Sequence, residues 1–135
     1  MMNAAAARCP APGAGRRRIL VVEDEEMISA LLVRYLGGHI GCEVAVARNG
    51  ADAIDQATTE AYDAVLMDLM IPRTNGVEAI RALKATRPTL PVIVMSGANE
   101  AMIEEALSAG AEQALRKPFR MRDLSALLDR MLRTQ

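Results

Sequence analysis

The chain of 135 residues holds 16 Lys or Arg against 17 Asp or Glu, a formal net charge of −1, with 51% hydrophobic and 2% aromatic content. That length accommodates one domain of ordinary size, and the apolar share is enough for a core, which excludes a mostly disordered chain. Apolar runs fall well short of the roughly 20 residues of a membrane span. Near-zero charge argues against a whole-protein nucleic-acid footprint, and two cysteines, Cys9 and Cys42, are too few for a disulfide framework and fit a reducing, cytoplasmic compartment.

The charge is uneven along the chain. Residues 1–18 carry Arg8, Arg16, Arg17 and Arg18 and no acid, a local +4 that leaves −5 for the remainder. The first 15 residues are rich in Ala, Pro and Gly and show no period, so residues 1–17 read as a flexible, basic, solubilising tail before a domain at 18–135. The apolar segment after Arg18 is cut off by Glu23-Asp24-Glu25-Glu26 and is too short for the core of an export signal. Gly13-Ala14-Gly15 precedes the first strand, which is not the placement of a dinucleotide-binding loop.

From Arg18 onward two periods alternate. Ile19-Leu20-Val21-Val22 is a short, wholly apolar run, the pattern of a strand buried on both faces. Ile28, Leu31, Leu32, Tyr35 and Leu36 recur at helical spacing, and Gly37-Gly38 reads as the stop. Val44-Ala45-Val46-Ala47 is a second strand, and Asn49 opens a helix that runs to about Thr59. Ala64-Val65-Leu66-Met67 is the third strand, ending at Asp68. Ile71-Pro72-Arg73-Thr74-Asn75-Gly76 carries the Pro and Asn-Gly signals of a loop, and a helix from Val77 to about Thr86 turns Val77, Ile80 and Leu83 inward. Pro91-Val92-Ile93-Val94-Met95 is the fourth strand, Asn99 to Ala109 a helix ended by Gly110, and Ala114-Leu115-Arg116 a short fifth strand. The last helix, Met121 to Arg133, gathers Leu124, Leu127, Leu128 and Met131 on one face. Five strand–helix units require parallel strands joined by right-handed crossovers. The fold class is therefore α/β, a doubly wound five-stranded parallel sheet, and such sheets bind ligands at the carboxyl ends of their strands.

That edge collects chemistry. The first strand ends in Glu23-Asp24, the third in Asp68, the fourth in Ser96-Gly97 and the fifth in Lys117-Pro118. Taken singly, each has a plain structural reading: an Asp at a strand end turns or caps, Glu25 and Glu26 complement a helix dipole, and Ser96 caps a helix. Together they place three carboxylates, a hydroxyl and an amine on one rim. Acids so clustered repel one another, and Lys117 leaves about two negative charges unbalanced. A hard divalent ion such as Mg²⁺ fits an oxygen-only donor set. A soft-metal site does not, since the sole His, His39, stands in a Gly-flanked loop. The phosphate-binding loop Gly-x-x-x-x-Gly-Lys and the nucleophile elbow Gly-x-Ser-x-Gly are both absent. What survives is Asp68 as a nucleophile toward a phosphoryl group, with Mg²⁺ and Lys117 neutralising the transferring oxygens to give an aspartyl phosphate.

At these residues the sequence resembles the receiver domain of two-component response regulators, the CheY-like, flavodoxin-like (βα)5 fold. The likeness rests on Ile-Leu-Val-Val-Glu-Asp-Glu, Leu-Met-Asp-Leu-Met-Ile-Pro-Arg-Thr-Asn-Gly, Val-Met-Ser-Gly-Ala and Leu-Arg-Lys-Pro-Phe, in order, from about Arg18 to Arg133. The resemblance implies that Asp68 is the phosphoacceptor. It implies that Glu23, Asp24 and Asp68 hold Mg²⁺ together with the backbone carbonyl of Met70. It also implies that Ser96 hydrogen-bonds the phosphoryl group, that Lys117 pairs with it, and that Lys117-Pro118 is cis. The donor would be a sensor histidine kinase or a histidine phosphotransfer protein, and the output a downstream protein effector, with no direct DNA or membrane binding. Homodimerisation through the face of the fourth helix, fifth strand and fifth helix is left open. One position departs from the pattern: the Tyr or Phe usual three residues before the lysine is Ala114, which lacks the ring of the usual readout and moves the expected output to the loop after Ser96 and the fourth helix. The protein is thus expected to be a signalling switch rather than an enzyme, limited to self-phosphorylation and slow autodephosphorylation. The alternatives are a phosphorylation-independent adaptor and a receiver fragment of a larger response regulator or hybrid kinase. A phosphatase with an Asp nucleophile fits less well, since Met70 stands where its second acid would be.

Overall fold

Strands with four consecutive apolar residues, Ile19–Val22, Ala64–Met67 and Val92–Met95, lower their free energy by covering both faces of the sheet. The computed structural model describes residues 10–11, 15–71, 75–97 and 100–133. The expectations for residues 1–9 and 12–14 of the tail, for Pro72-Arg73-Thr74 of the loop and for Asn99 as a helix start lie outside them. Five strands, β1 Arg18–Val22, β2 Glu43–Ala47, β3 Ala64–Asp68, β4 Val92–Ser96 and β5 Gln113–Arg116, form one parallel sheet in the order β2-β1-β3-β4-β5. The helices are α1 Glu26–Arg34, α2 Gly50–Thr59, α3 Gly76–Thr86, α4 Glu100–Ser108 and α5 Met121–Arg133.

Strand alternation divides the core in two. Ile19, Val21, Ala64, Leu66, Ile93 and Met95 pack with Leu32 of α1 and Leu124 and Leu128 of α5. Leu20, Val22, Val65, Met67, Val92 and Val94 pack with Ala53 of α2, Ile80 and Leu83 of α3 and Ile103 of α4. The three inner strands β1, β3 and β4 are buried from Ile19 to Val22, Ala64 to Asp68 and Val92 to Ser96, while the edge strands β2 and β5 keep half-exposed positions. Side-chain caps start two helices; the sequence foretold the one at Asn49, whereas Asn75, read as part of a loop, caps a helix that begins at Gly76. Asn49 accepts from the Asp52 amide at 2.9 Å and Asn75 from the Val77 amide at 2.8 Å, each satisfying an amide that has no partner in the first turn.

The first helix corrects the sequence reading. Gly37-Gly38 does not stop it; the chain continues as a π-helical segment, Tyr35–Ile40, through both glycines and ends at Gly41, whose φ is 88°. Leu36 and Ile40 are both buried, and burying that pair outweighs the roughly 1 kcal/mol that each glycine costs a helix. His39 accordingly lies in this segment, its ring stacked on Tyr35 at 5.1 Å, rather than in a loop. Cys42 is buried. Pro10–Ala11 pairs antiparallel with Gly15–Arg16. Among the described residues no helix is long and apolar enough to cross a membrane.

Candidate functional site

The register of the sheet decides which side chains meet at its carboxyl edge. Hydrogen bonding carries one residue past the ends of the central strands: the Glu23 amide donates to the Ala47 carbonyl at 3.0 Å and the Leu69 amide to the Met95 carbonyl at 3.0 Å. Glu23 is thereby held as firmly as a strand residue, and Asp68, in register with Met95, lies at the level where β4 ends in Ser96. The Lys117 amide donates to the Ser96 carbonyl at 2.8 Å, which brings Lys117 in beside them. The peptide Lys117-Pro118 is cis, in agreement with the family resemblance.

Glu23, Asp68 and Ser96 are buried polar residues, and Asp24 is exposed at their rim. Oxygens of Glu23, Asp24 and Asp68 all lie within 4.8 Å of one another. Lys117 Nζ donates to Asp68 Oδ2 at 2.9 Å and reaches Glu23 Oε1 at 3.5 Å. Backbone amides complete the set: Met70 donates to Asp68 Oδ1 at 2.9 Å and Glu25 to Glu23 Oε2 at 3.3 Å. Burial first, and the charge of Asp68 second, push the Glu23 carboxyl up to about 7, against the opposing pull of Lys117. Burial of Lys117 acts to lower its pKa, yet the hydrogen bond and charge of Asp68 outweigh it and hold the ammonium above its ordinary value.

One ammonium against three carboxylates leaves the cluster electron-rich, and its donor atoms are all oxygen, the chemistry of a hard divalent cation. The sequence-derived set is largely brought together: Glu23, Asp24, Asp68 and Lys117 converge, Ser96 stands at the adjoining strand end, and Met70 contributes its amide while its side chain faces solvent. Sequence reading missed the amides of Met70 and Glu25 as partners of the two buried carboxylates. No side-chain identity could have revealed them, because the signal is the turn of backbone after each strand. Ala114 is half-buried on the face toward α4, paired with Val94 in the sheet.

Comparisons with known proteins agree with this geometry. Residues 19–129 match the family described as the response regulator receiver domain. The chain is 37% identical over 117 residues to the response regulator MprA of Mycolicibacterium vanbaalenii, covering 86% of this chain and 50% of that one. It is 36% identical over the same length to MprA of Mycobacterium tuberculosis. It therefore spans about half the length of the curated relatives it matches. Among solved structures, it is similar to a CheY-like receiver domain protein of Methanospirillum hungatei, with TM-score 0.80, 27% identity and coverage of 88% of this chain and 98% of that one. It is also similar to the receiver domain of a sensor histidine kinase from Pseudomonas aeruginosa, solved with a magnesium ion coordinated in its active-site cleft, with TM-score 0.80, 30% identity and coverage of 86% and 97%.

Proposed function

The chain belongs to the response regulator receiver family, whose function is to accept a phosphoryl group, and from that premise we propose that Asp68 is the acceptor in this protein. The observation that carries the reading is the convergence of Glu23, Asp24 and Asp68 within 4.8 Å around a carboxylate already paired with Lys117 at 2.9 Å. Mg²⁺ held by Glu23, Asp24, Asp68 and the Met70 carbonyl supplies charge neutralisation, without which a carboxylate and a phosphoryl group of the same sign do not approach. The magnesium seen in the Pseudomonas aeruginosa receiver domain supports this assignment.

The chain's own groups divide the work. An Asp68 oxygen attacks phosphorus as the bond to the donor's histidine nitrogen breaks, with the electron pair leaving on the imidazole. The gap between Lys117 Nζ and Asp68 Oδ2 holds one hydrogen bond and nothing larger, so the ammonium withdraws and pairs with the incoming phosphoryl oxygens instead. The Met70 amide keeps the other Asp68 oxygen fixed throughout. Ser96 hydrogen-bonds the phosphoryl group once it is formed. The donor is a sensor histidine kinase or a histidine phosphotransfer protein, the site of action is the cytoplasm, and the switched surface is read by a protein effector. The only turnover is self-phosphorylation and slow loss of the phosphoryl group. Tail and receiver divide at residues 17 and 18.

Incubation with a small acyl phosphate and Mg²⁺, followed by intact-mass measurement, is expected to add one phosphoryl group to the wild type and none to Asp68→Asn. Label retained in Asp68→Asn overturns the assignment of the acceptor. Absence of label in the wild type makes the phosphorylation-independent adaptor the better reading.

A further inference from the structure

A phosphoryl group at Asp68 must be read elsewhere, and Ala114 offers no ring to move. The same strand carries a different device two residues on. Arg116 is in register with Ser96 in the β4–β5 ladder, and the next residue, Lys117, donates its amide to the Ser96 carbonyl at 2.8 Å. The Arg116 guanidinium forks the Glu100 carboxylate, Nε to Oε2 at 2.5 Å and Nη2 to Oε1 at 2.6 Å. Glu100 is the first residue of α4 and lies four residues after Ser96. The fork thus closes a ring: from Ser96 along the chain to Glu100, across to Arg116, and back through the strand ladder to Ser96.

We propose that Arg116 is a positioning residue of the switch. Its fork on Glu100 is a latch that holds the first turn of α4 against β5 while Asp68 carries no phosphoryl group. This rests on Asp68 being the acceptor. The base of the fork cannot yield, since Arg116 belongs to a strand paired with β4 at every residue from Gln113 to Arg116. The other end can, since both side chains of the pair are well over half exposed and held to each other by charge. Movement of Ser96 toward a phosphoryl group draws on the short segment that leads to Glu100, and the fork opposes that draw. Planar, two-point pairing is what Arg gives and Lys does not.

A device that favours the unphosphorylated arrangement must weaken binding of a phosphoryl mimic by the same factor. Exposed ion pairs are worth a modest amount, so removing the fork is expected to tighten beryllofluoride binding in the presence of Mg²⁺ by about two- to fivefold. The experiment is an NMR titration of wild type, Arg116→Met, Glu100→Gln, Arg116→Lys and the charge swap Glu100→Arg with Arg116→Glu, each at low salt and at about 1 M salt, where charges are screened within about 3 Å. Arg116→Met and Glu100→Gln should bind more tightly than wild type at low salt, and the difference should close at high salt. Arg116→Lys should fall between, and the swap should return toward wild type. Amide hydrogen exchange in the first turn of α4 should quicken in both single variants even without the mimic. Equal or weaker binding by both single variants, a gain that persists at high salt, or a swap that restores nothing overturns the latch. If the wild type binds beryllofluoride and the variants match it, the latch alone fails. If the wild type does not bind it, the acceptor assignment fails and the latch with it.

Discussion

Glu23 is buried at the end of β1, a position that favours its neutral form, whereas a cation site requires it charged. Its carboxyl is raised from 4.5 to about 7, by burial and then by Asp68. A carboxyl raised in the folded state gives stability that is fully present below pH 4.5 and is lost as the pH rises through about 7, up to about 3 kcal/mol. Without added Mg²⁺, thermal melting of the wild type should therefore fall between pH 5 and 8 relative to Glu23→Gln, which cannot titrate there. A difference between the two that stays flat across that window would show that Glu23 ionises normally. Asp68→Asn removes the second cause of the shift, so the same window should narrow and move to lower pH. Sequence alone shows an acid at a strand end, which most often only turns the chain; that this one is buried follows from the Ala47 carbonyl extending the sheet past Val22.

At the scale of elements, the connection between β3 and α3 ties packing to the site. A Cβ on Gly76 would lie 3.0 Å from both the Cα and the carbonyl oxygen of Leu69, the residue directly after Asp68. Alanine has the better helix propensity by up to about 1 kcal/mol, yet here it meets backbone that cannot rotate away. Gly76→Ala is expected to destabilise by about 1–3 kcal/mol in denaturant unfolding, and to slow phosphoryl incorporation because the displaced backbone carries Asp68. Unchanged stability would mean that the β3–α3 connection adapts freely. The Asn-Gly at 75–76 was legible as a turn signal, and Asn75 as a cap agrees with it, but the close approach to Leu69 was not, since it joins residues seven apart through the loop. The same limit applies to α1. Its apolar spacing was readable through Leu36, whereas its true end at Gly41 depended on whether Ile40 found a place in the core. Strands and the last helix read well because each is settled by its own period: α5 spans Met121–Arg133 as the spacing of Leu124, Leu127, Leu128 and Met131 requires. Arg116 and Glu100 were invisible as a pair, because only the packing of α4 on β5 brings them together.

Over the whole molecule, a net charge of −1 conceals an uneven distribution. At the amino ends of the strands, acids and bases are matched: Arg17 with Asp63, Arg18 with Glu43 and Glu60, Lys84 with Glu112. At the carboxyl ends, Glu23, Asp24 and Asp68 face Lys117 alone among the ion pairs of the described residues. The imbalance is therefore stored where it can be relieved by a bound cation, and stability becomes linked to metal concentration. Mg²⁺ at a hundredfold excess over its Kd should stabilise the fold by about 2.7 kcal/mol, a rise in Tm on the order of 10 °C for a domain of this size. The chain contains no Trp, so the measurement is calorimetric. Raising NaCl to equal ionic strength screens the carboxylates without bridging them and should give a much smaller rise. Asp24→Asn and Asp68→Asn each remove an oxygen charge from the cluster and should each reduce the Mg²⁺ effect while leaving the NaCl effect nearly unchanged. A rise in Tm equal in wild type and both variants would place Mg²⁺ elsewhere on the acidic surface. No rise at all would mean that Lys117 and the amides of Glu25 and Met70 suffice to hold the three carboxylates together.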